Sequence, residues 1–433
     1  MSNFVNTIHT AINSAINSAI NSAINSAINS ANNAAISVLL ILLCAITGAN
    51  ASSLAIESSG YSAKSGVAFL CADKQSAKLR RDMAMYLREL DIDRHLVIMT
   101  EQADGALIYT LATPENDTNT LSFHEREQYR LIDDTLRLPL NGGKTRMVST
   151  VSKKEILLAL LQHGRLTNFS GEACTLDALR DHVAVRQNIV AWTGVLQWGW
   201  PDGDAAYWNT KFWDKGTPLA SVSVDQALLD AFQNQEKYSI GCYTASKLSY
   251  AHGVLDYYGR VKKSPAKAAL VRTRLMHDKD PLVGIEPAAM WNFEQDFDKA
   301  TRDIPGKLLG IRRGVAADNF VPGDWIYLLN TDKATAKKIG YEGSNAVYLG
   351  RGKFDDYYND HQHSYSYTEK LEEVYQWRNG VFSRTRDADK AKPIDSKDIA
   401  RLSKTPAHGG MLLDLRVAPY LVGYEDMPEL PAP

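Results

Sequence analysis

The sequence predicts an α+β chain in which a small α/β unit precedes a larger domain of helices followed by strands. Three observations predict it. Between Gly66 and Leu166, short apolar runs alternate with a charged-faced helical pattern. After Gly171 the composition turns abruptly aromatic. A helically spaced stretch from Tyr243 to Tyr258 then precedes two apolar runs, Phe320–Asn330 and Asn345–Gly350. On this reading residues 1–51 stand outside the fold, residues 57–170 form the small unit, and residues 171–433 form the larger domain.

Composition narrows the function classes. A chain of 433 residues with 45% hydrophobic and 23% charged residues is ordinary for a globular protein. A net charge of -2 argues against a protein built to coat nucleic acid. Four cysteines are too few for a disulfide scaffold of this length.

The segment Ala11–Ala31 repeats a four-residue unit, AINS, with too little apolar surface to pack by itself. Ala34–Thr47 is an apolar run of 14 residues, short for a membrane span and suited to the core of a signal peptide. Ala49-Asn50-Ala51 supplies a small-x-small cleavage pattern. No Lys or Arg precedes Lys64, which departs from a signal's charged start. A misassigned start codon would account for both the repeat and the missing charge. A secreted, periplasmic or cell-envelope location is expected, with membrane contact only through this segment if it stays uncleaved. Cleavage would leave Cys71, Cys174 and Cys242, and a Cys71–Cys174 bridge with Cys242 free is expected. The alternative is three unrelated buried thiols.

In the small unit, Gly66–Cys71 reads as a strand, Ser76–Leu90 as a helix, and His95–Thr100 and Ala106–Ala112 as strands. Pro114–Asn119 is a loop. Ser152 to Glu155 spells a capping box that opens a helix through Leu161. His95, His124 and His163 stand alone, with no partner for convergent chemistry.

The larger domain opens with a helix over Thr175–Trp198. Five of the eight tryptophans, at 192, 198, 200, 208 and 213, then fall close together with Tyr207 and Phe212. So many wide rings read either as the lining of a groove for an extended side chain or as a core of large residues. Ser223 to Gln226 caps a helix running to about Asn234. Lys262–Gly314 is basic and broken by prolines, an irregular connection with short helices and a solvated face. His361, His363, Tyr365 and Tyr367 alternate along an extended segment before a helix carrying Tyr375, Trp377 and Arg378.

Cys242 is the candidate nucleophile. Ala245, Leu248, Ala251, Leu255 and Tyr258 recur at helical spacing, placing Cys242 in the first turn and Gly259 as the stop. The positive end of the helix dipole is expected to lower its thiol pKa. The bland alternative is a small buried hydrophobe.

The order of Cys242 at a helix start, a Pro-Gly-Asp strand and an Asn-Ala-Val-Tyr-Leu-Gly strand resembles the papain-like NlpC/P60 class of cysteine hydrolases and transferases. More narrowly, it resembles the bacterial spore-coat protein-glutamine gamma-glutamyltransferases. The matching pieces are VRQNIVA (Val185–Ala191), AAYWN (Ala205–Asn209), CYTA (Cys242–Ala245), GDWIYLLN (Gly323–Asn330) and YEGSNAVYLG (Tyr341–Gly350). They run in family order over roughly residues 177–380, and the region before Gly171 has no counterpart in that family.

The resemblance implies a papain-like transglutaminase domain and acyl transfer through a Cys242 thioester between protein glutamine and lysine side chains, with no metal or organic cofactor. It also implies an aromatic tunnel, to which Trp200, Trp208, Trp213 and Tyr341 are assigned. The family's two glutamates, before the cysteine and ahead of the last strand's Asn, are here Gly241 and Ser344; where NlpC/P60 peptidases carry a histidine, Asn345 stands. Glu342 and His361 are therefore the candidates for moving the proton. A cell-wall amidase and a degenerate binding protein of the same fold remain as alternative readings.

Overall fold

The computed structural model describes residues 65–71, 73–287, 304–360, 364–382, 389, 391–413, 415–424 and 427–433. The apolar run Ala34–Thr47 and the histidines His361 and His363 lie outside the described residues. Among the described residues no helix is long and apolar enough to cross a membrane.

The first half contains β1 (Gly66–Leu70), α1 (Asp73–Glu89), β2 (Val97–Glu101), β3 (Leu107–Leu111), β4 (Asp134–Pro139), β5 (Thr145–Thr150), α2 (Lys153–Leu161) and β6 (Leu166–Ser170). Four of the strands make one sheet in the order β2-β3-β1-β6, with β1 and β6 parallel and the other pairs antiparallel. Val67, Ala68 and Phe69 are all buried, as a central strand covered on both faces requires. Leu79, Met83, Tyr86 and Leu87 bury one stripe of α1. The hairpin β4–β5 was not anticipated; its signal is Asn141-Gly142-Gly143, where both glycines adopt positive φ (70° and 73°) that side chains resist.

Ser152 caps α2, accepting from the Glu155 N–H at 3.2 Å. The reciprocal half of the expected capping box is replaced: the buried Glu155 carboxylate accepts the Arg351 backbone N–H at 2.6 Å, tying α2 to a turn almost two hundred residues away. Burial pushes the Glu155 pKa up to about 7, against the Arg351 N–H and charge, which pull it down. A carboxyl raised in the folded state contributes stability below its unfolded value and loses it as pH rises through the folded one. Glu155→Gln should therefore match the wild type at pH 4 and exceed it at pH 8 by on the order of 2 kcal/mol. Thermal melts of both proteins across that range measure the difference; a variant less stable at pH 8 contradicts it.

The chain continues through α3 (Leu176–Thr193), β7 (Trp213–Asp214), β8 (Thr217–Pro218), α4 (Val224–Gln233), α5 (Cys242–Asp256) and α6 (Pro265–Leu275). Beyond these come β9 (Leu309–Arg313), β10 (Trp325–Leu329), β11 (Gly343–Gly350), β12 (Lys353–Asp355), β13 (Tyr365–Ser366), α7 (Tyr367–Arg378), α8 (Ser396–Leu402) and β14 (Leu415–Pro419). The second sheet runs β13-β12-β11-β10-β14-β9, antiparallel throughout. The architecture is α+β.

Helix α3 belongs to two cores. Ala178, Leu179 and Val183 pack with the first sheet, whereas Val185, Ile189 and Trp192 pack with α5 and the second sheet. It stops at Thr193, five residues before the expected end, because Gly194 closes it with an N–H to Val190 O at 2.8 Å. Trp198 is then free to bridge Tyr358, its N–H donating to Tyr357 O at 3.1 Å and its carbonyl accepting the Asn359 N–H at 3.2 Å.

Helix α5 is buried on nearly every side, so its apolar spacing marks a central helix and not a surface one. Ser246 and Ser249 satisfy their buried hydroxyls on the carbonyls four residues back, at 2.8 and 2.9 Å. Gly253 permits the close crossing with α3, since a Cβ there would lie 2.9 Å from the Ile189 backbone. Gly259 is not the stop: the helix loosens into a π turn, Tyr257–Val261, and ends where Lys263 turns left-handed. The basic face expected after it is partly internal. Arg274 is buried and donates to Lys307 O at 2.5 Å, and the Lys307 ammonium donates to Leu275 O at 2.9 Å. Arg274 satisfies carbonyls at Gly306 and Lys307, and Lys307 satisfies the last carbonyl of α6.

Candidate active site

Cys242 is the first residue of α5, with Gly241 as an N-cap that brings no side chain to the helix end. Among the described residues it is the free cysteine, Cys71 and Cys174 being bridged with their Cα atoms 5.6 Å apart. The half-buried thiol opens on a cavity of about 500 Å³ whose walls include Trp200, Asp204, Tyr243, Glu342 and Asn345.

The second sheet presents the facing side chain. Strands β10 and β11 pair in the register Tyr327↔Asn345, with Trp325 opposite Val347. Asn345, almost fully buried, directs Nδ2 to the Cys242 Sγ at 3.4 Å. Its Oδ1 accepts the Trp325 Nε1–H at 2.9 Å.

Burial pushes the Cys242 thiol pKa up. The Asn345 side-chain and backbone donors pull it down but do not outweigh that effect. The expected lowering by the helix end is thus corrected. The reason is the low-dielectric setting of a sulfur packed against the main apolar core. A compact ion cluster lies behind it: the Lys370 ammonium meets Asp356 at 2.6 Å and Glu373 at 2.5 Å, all buried. Lys370 and Asp356 act on the sulfur with opposite sign.

The other residues singled out from sequence divide. Glu342 is exposed on the cavity wall, its Oε2 accepting the Gly340 N–H at 2.9 Å. Trp200 lines the same cavity. Trp208 and Trp213 are buried in the main core, packed ring to ring at 5.1 Å, and do not line it. Tyr341 is likewise buried; its hydroxyl donates to Asp202 and lies 3.1 Å from Phe382 O, and its ring backs the edge of Trp200. The aromatic cluster is therefore mostly core, because rings this large bury more area against α4 and each other than along an open groove. His361 lies outside the described residues. Asn345, Asp204 and Tyr243 were not singled out as site residues; the signal for Asn345 is a polar side chain inside an apolar strand, which burial obliges to find a partner.

The arrangement places a nucleophilic atom in an open cavity, one amide donor aimed at it, and carboxylates along the wall. That combination suits acyl transfer through sulfur.

The family model for protein-glutamine gamma-glutamyltransferase matches residues 143–361, just over half of the chain. Among solved structures the chain is similar to a transglutaminase from Geobacillus stearothermophilus (without C-terminal extension). The identity is 18%, the match covers 58% of this chain and 98% of that one, and the TM-score is 0.32. No curated protein matches the chain.

Proposed function

The chain belongs to the protein-glutamine gamma-glutamyltransferase family, and from that premise we propose that it forms isopeptide crosslinks through a thioester on Cys242. The Cys242 sulfur attacks the side-chain amide carbon of a protein glutamine and a C–S bond forms. The C–N bond breaks, and ammonia leaves carrying the thiol proton. A lysine amine then attacks the thioester carbon, the C–S bond breaks, and the amine's surplus proton returns to sulfur. Glu342, on the wall of the same cavity, is the group we assign to carry protons between these positions. The observation that carries the reading is the Asn345 amide aimed at Cys242 inside a cavity wide enough for an amide arm.

The reaction asks for no metal or organic cofactor. We further propose that the protein acts in an oxidising compartment outside the cytoplasm, supported by the Cys71–Cys174 bridge.

The test is incorporation of a fluorescent primary amine into a glutamine-rich acceptor protein, with ammonia release followed in parallel and a chelator present. Both signals are expected, in equal amounts at saturating amine. Release of peptide fragments from cell-wall material, with no ammonia from protein glutamine, would instead assign an amidase of the same fold.

A further inference from the structure

We propose that Trp325 is a positioning residue, which acts through Asn345 by turning its carboxamide so that an N–H meets the Cys242 sulfur. This rests on the reading of Cys242 as the nucleophile. An indole N–H only donates, so the atom it meets at 2.9 Å is the Asn345 oxygen. The carboxamide is planar, with its nitrogen on the other arm, and fixing the oxygen therefore sends Nδ2 toward Sγ, 3.4 Å away. The reversed amide would set two donors head to head and a carbonyl lone pair against sulfur. Trp325 is 0% exposed, so a reversed amide would leave its indole N–H buried without an acceptor.

The indole is itself held. Tyr250 stacks on it at 5.9 Å with its hydroxyl on Gly323 O at 2.8 Å, and Tyr243 packs at 6.0 Å from the side of the cavity. The lock has a chemical consequence. The sulfur gains a permanent donor that favours its anion, and the only acceptor atom on the Asn345 side chain is engaged elsewhere. Asn345 thus stabilises negative charge on Cys242 without removing its proton, which must leave toward the cavity.

The test replaces Trp325 with 3-benzothienylalanine, which keeps the fused ring and deletes the N–H, alongside Trp325→Phe and Asn345→Ala. The readouts are the pH–rate profile of Cys242 alkylation by iodoacetamide, and kcat and KM for amine incorporation. Removing the N–H alone should slow alkylation at pH 7 about tenfold and move the profile to higher pH. It should lower kcat with little change in KM, and combining it with Asn345→Ala should add nothing. An unchanged alkylation profile in the benzothienyl variant, or additive effects with Asn345→Ala, overturns the proposal. Alkylation reads the sulfur directly. A shifted profile in a protein whose Cys242→Ala form stays active therefore supports the positioning and overturns only the nucleophile assignment.

Discussion

Cys242→Ala is expected to lower amine incorporation by more than about 10⁴-fold while leaving the thermal melt unchanged. The size follows from the site. Among the described residues Cys242 is the free thiol, and it lines the cavity with the Asn345 amide facing it. Cys242→Ser should be nearly as inactive. The thiol already sits above its ordinary pKa with one side-chain amide donor facing it, and a hydroxyl, far less acidic, would need a stronger base than that amide, which accepts no proton. Initial rates with a labelled amine measure both variants. Residual activity within tenfold of wild type would rule out the thioester route.

Asp324→Ala is expected to destabilise the protein by about 3–5 kcal/mol. The Asp324 carboxylate is fully buried and accepts two bonds from Arg165, at 3.0 and 2.5 Å, one from Arg186 at 2.9 Å, and the Val321 N–H at 2.9 Å. Gly323 beside it must be glycine-like, because its φ is +81° and a Cβ would press on the Arg186 backbone at 3.2 Å. Removing the carboxylate leaves two buried guanidinium groups facing one another without a counter-charge. Urea denaturation measures the loss, and a change below about 1 kcal/mol would mean that the backbone carbonyls around Arg186 suffice.

The same group gives an acid limb to stability. Burial opposes its ionised form, but Arg165 and Arg186 hold its pKa well below the ordinary 3.8. A carboxyl depressed in the folded state contributes fully above its unfolded value and loses that contribution as pH falls below it. Asp324 also precedes Trp325. The clamp on Arg165, from the end of the first half of the chain, thereby sets the strand on which the indole reaches Asn345.

Some of this was legible in the residues. The ladder Ala245, Leu248, Ala251, Leu255 placed Cys242 at a helix start, and the Ser223 capping box is complete, because both are encoded within a few positions of one another. Cys71 and Cys174 pair as expected, leaving Cys242 free. By contrast, the periodicity runs past Gly194 while the backbone of Trp198 is claimed by an isolated bridge to Tyr358, so α3 ends earlier than its pattern predicts. The assignment of Trp208, Trp213 and Tyr341 to a tunnel failed for a related reason: aromatic density is the same signal in a core as in a groove.

By itself, then, the sequence determined the α+β character, the helix carrying the thiol and the ordered motifs of an acyl-transfer family. Only tertiary structure decided which tryptophan meets the cavity, that Asn345 faces the sulfur from 103 positions away, and that Arg165 grips Asp324 across 159. Period and capping are local properties of a chain, whereas burial and the pairing of buried polar groups depend on which distant segments the packing brings together.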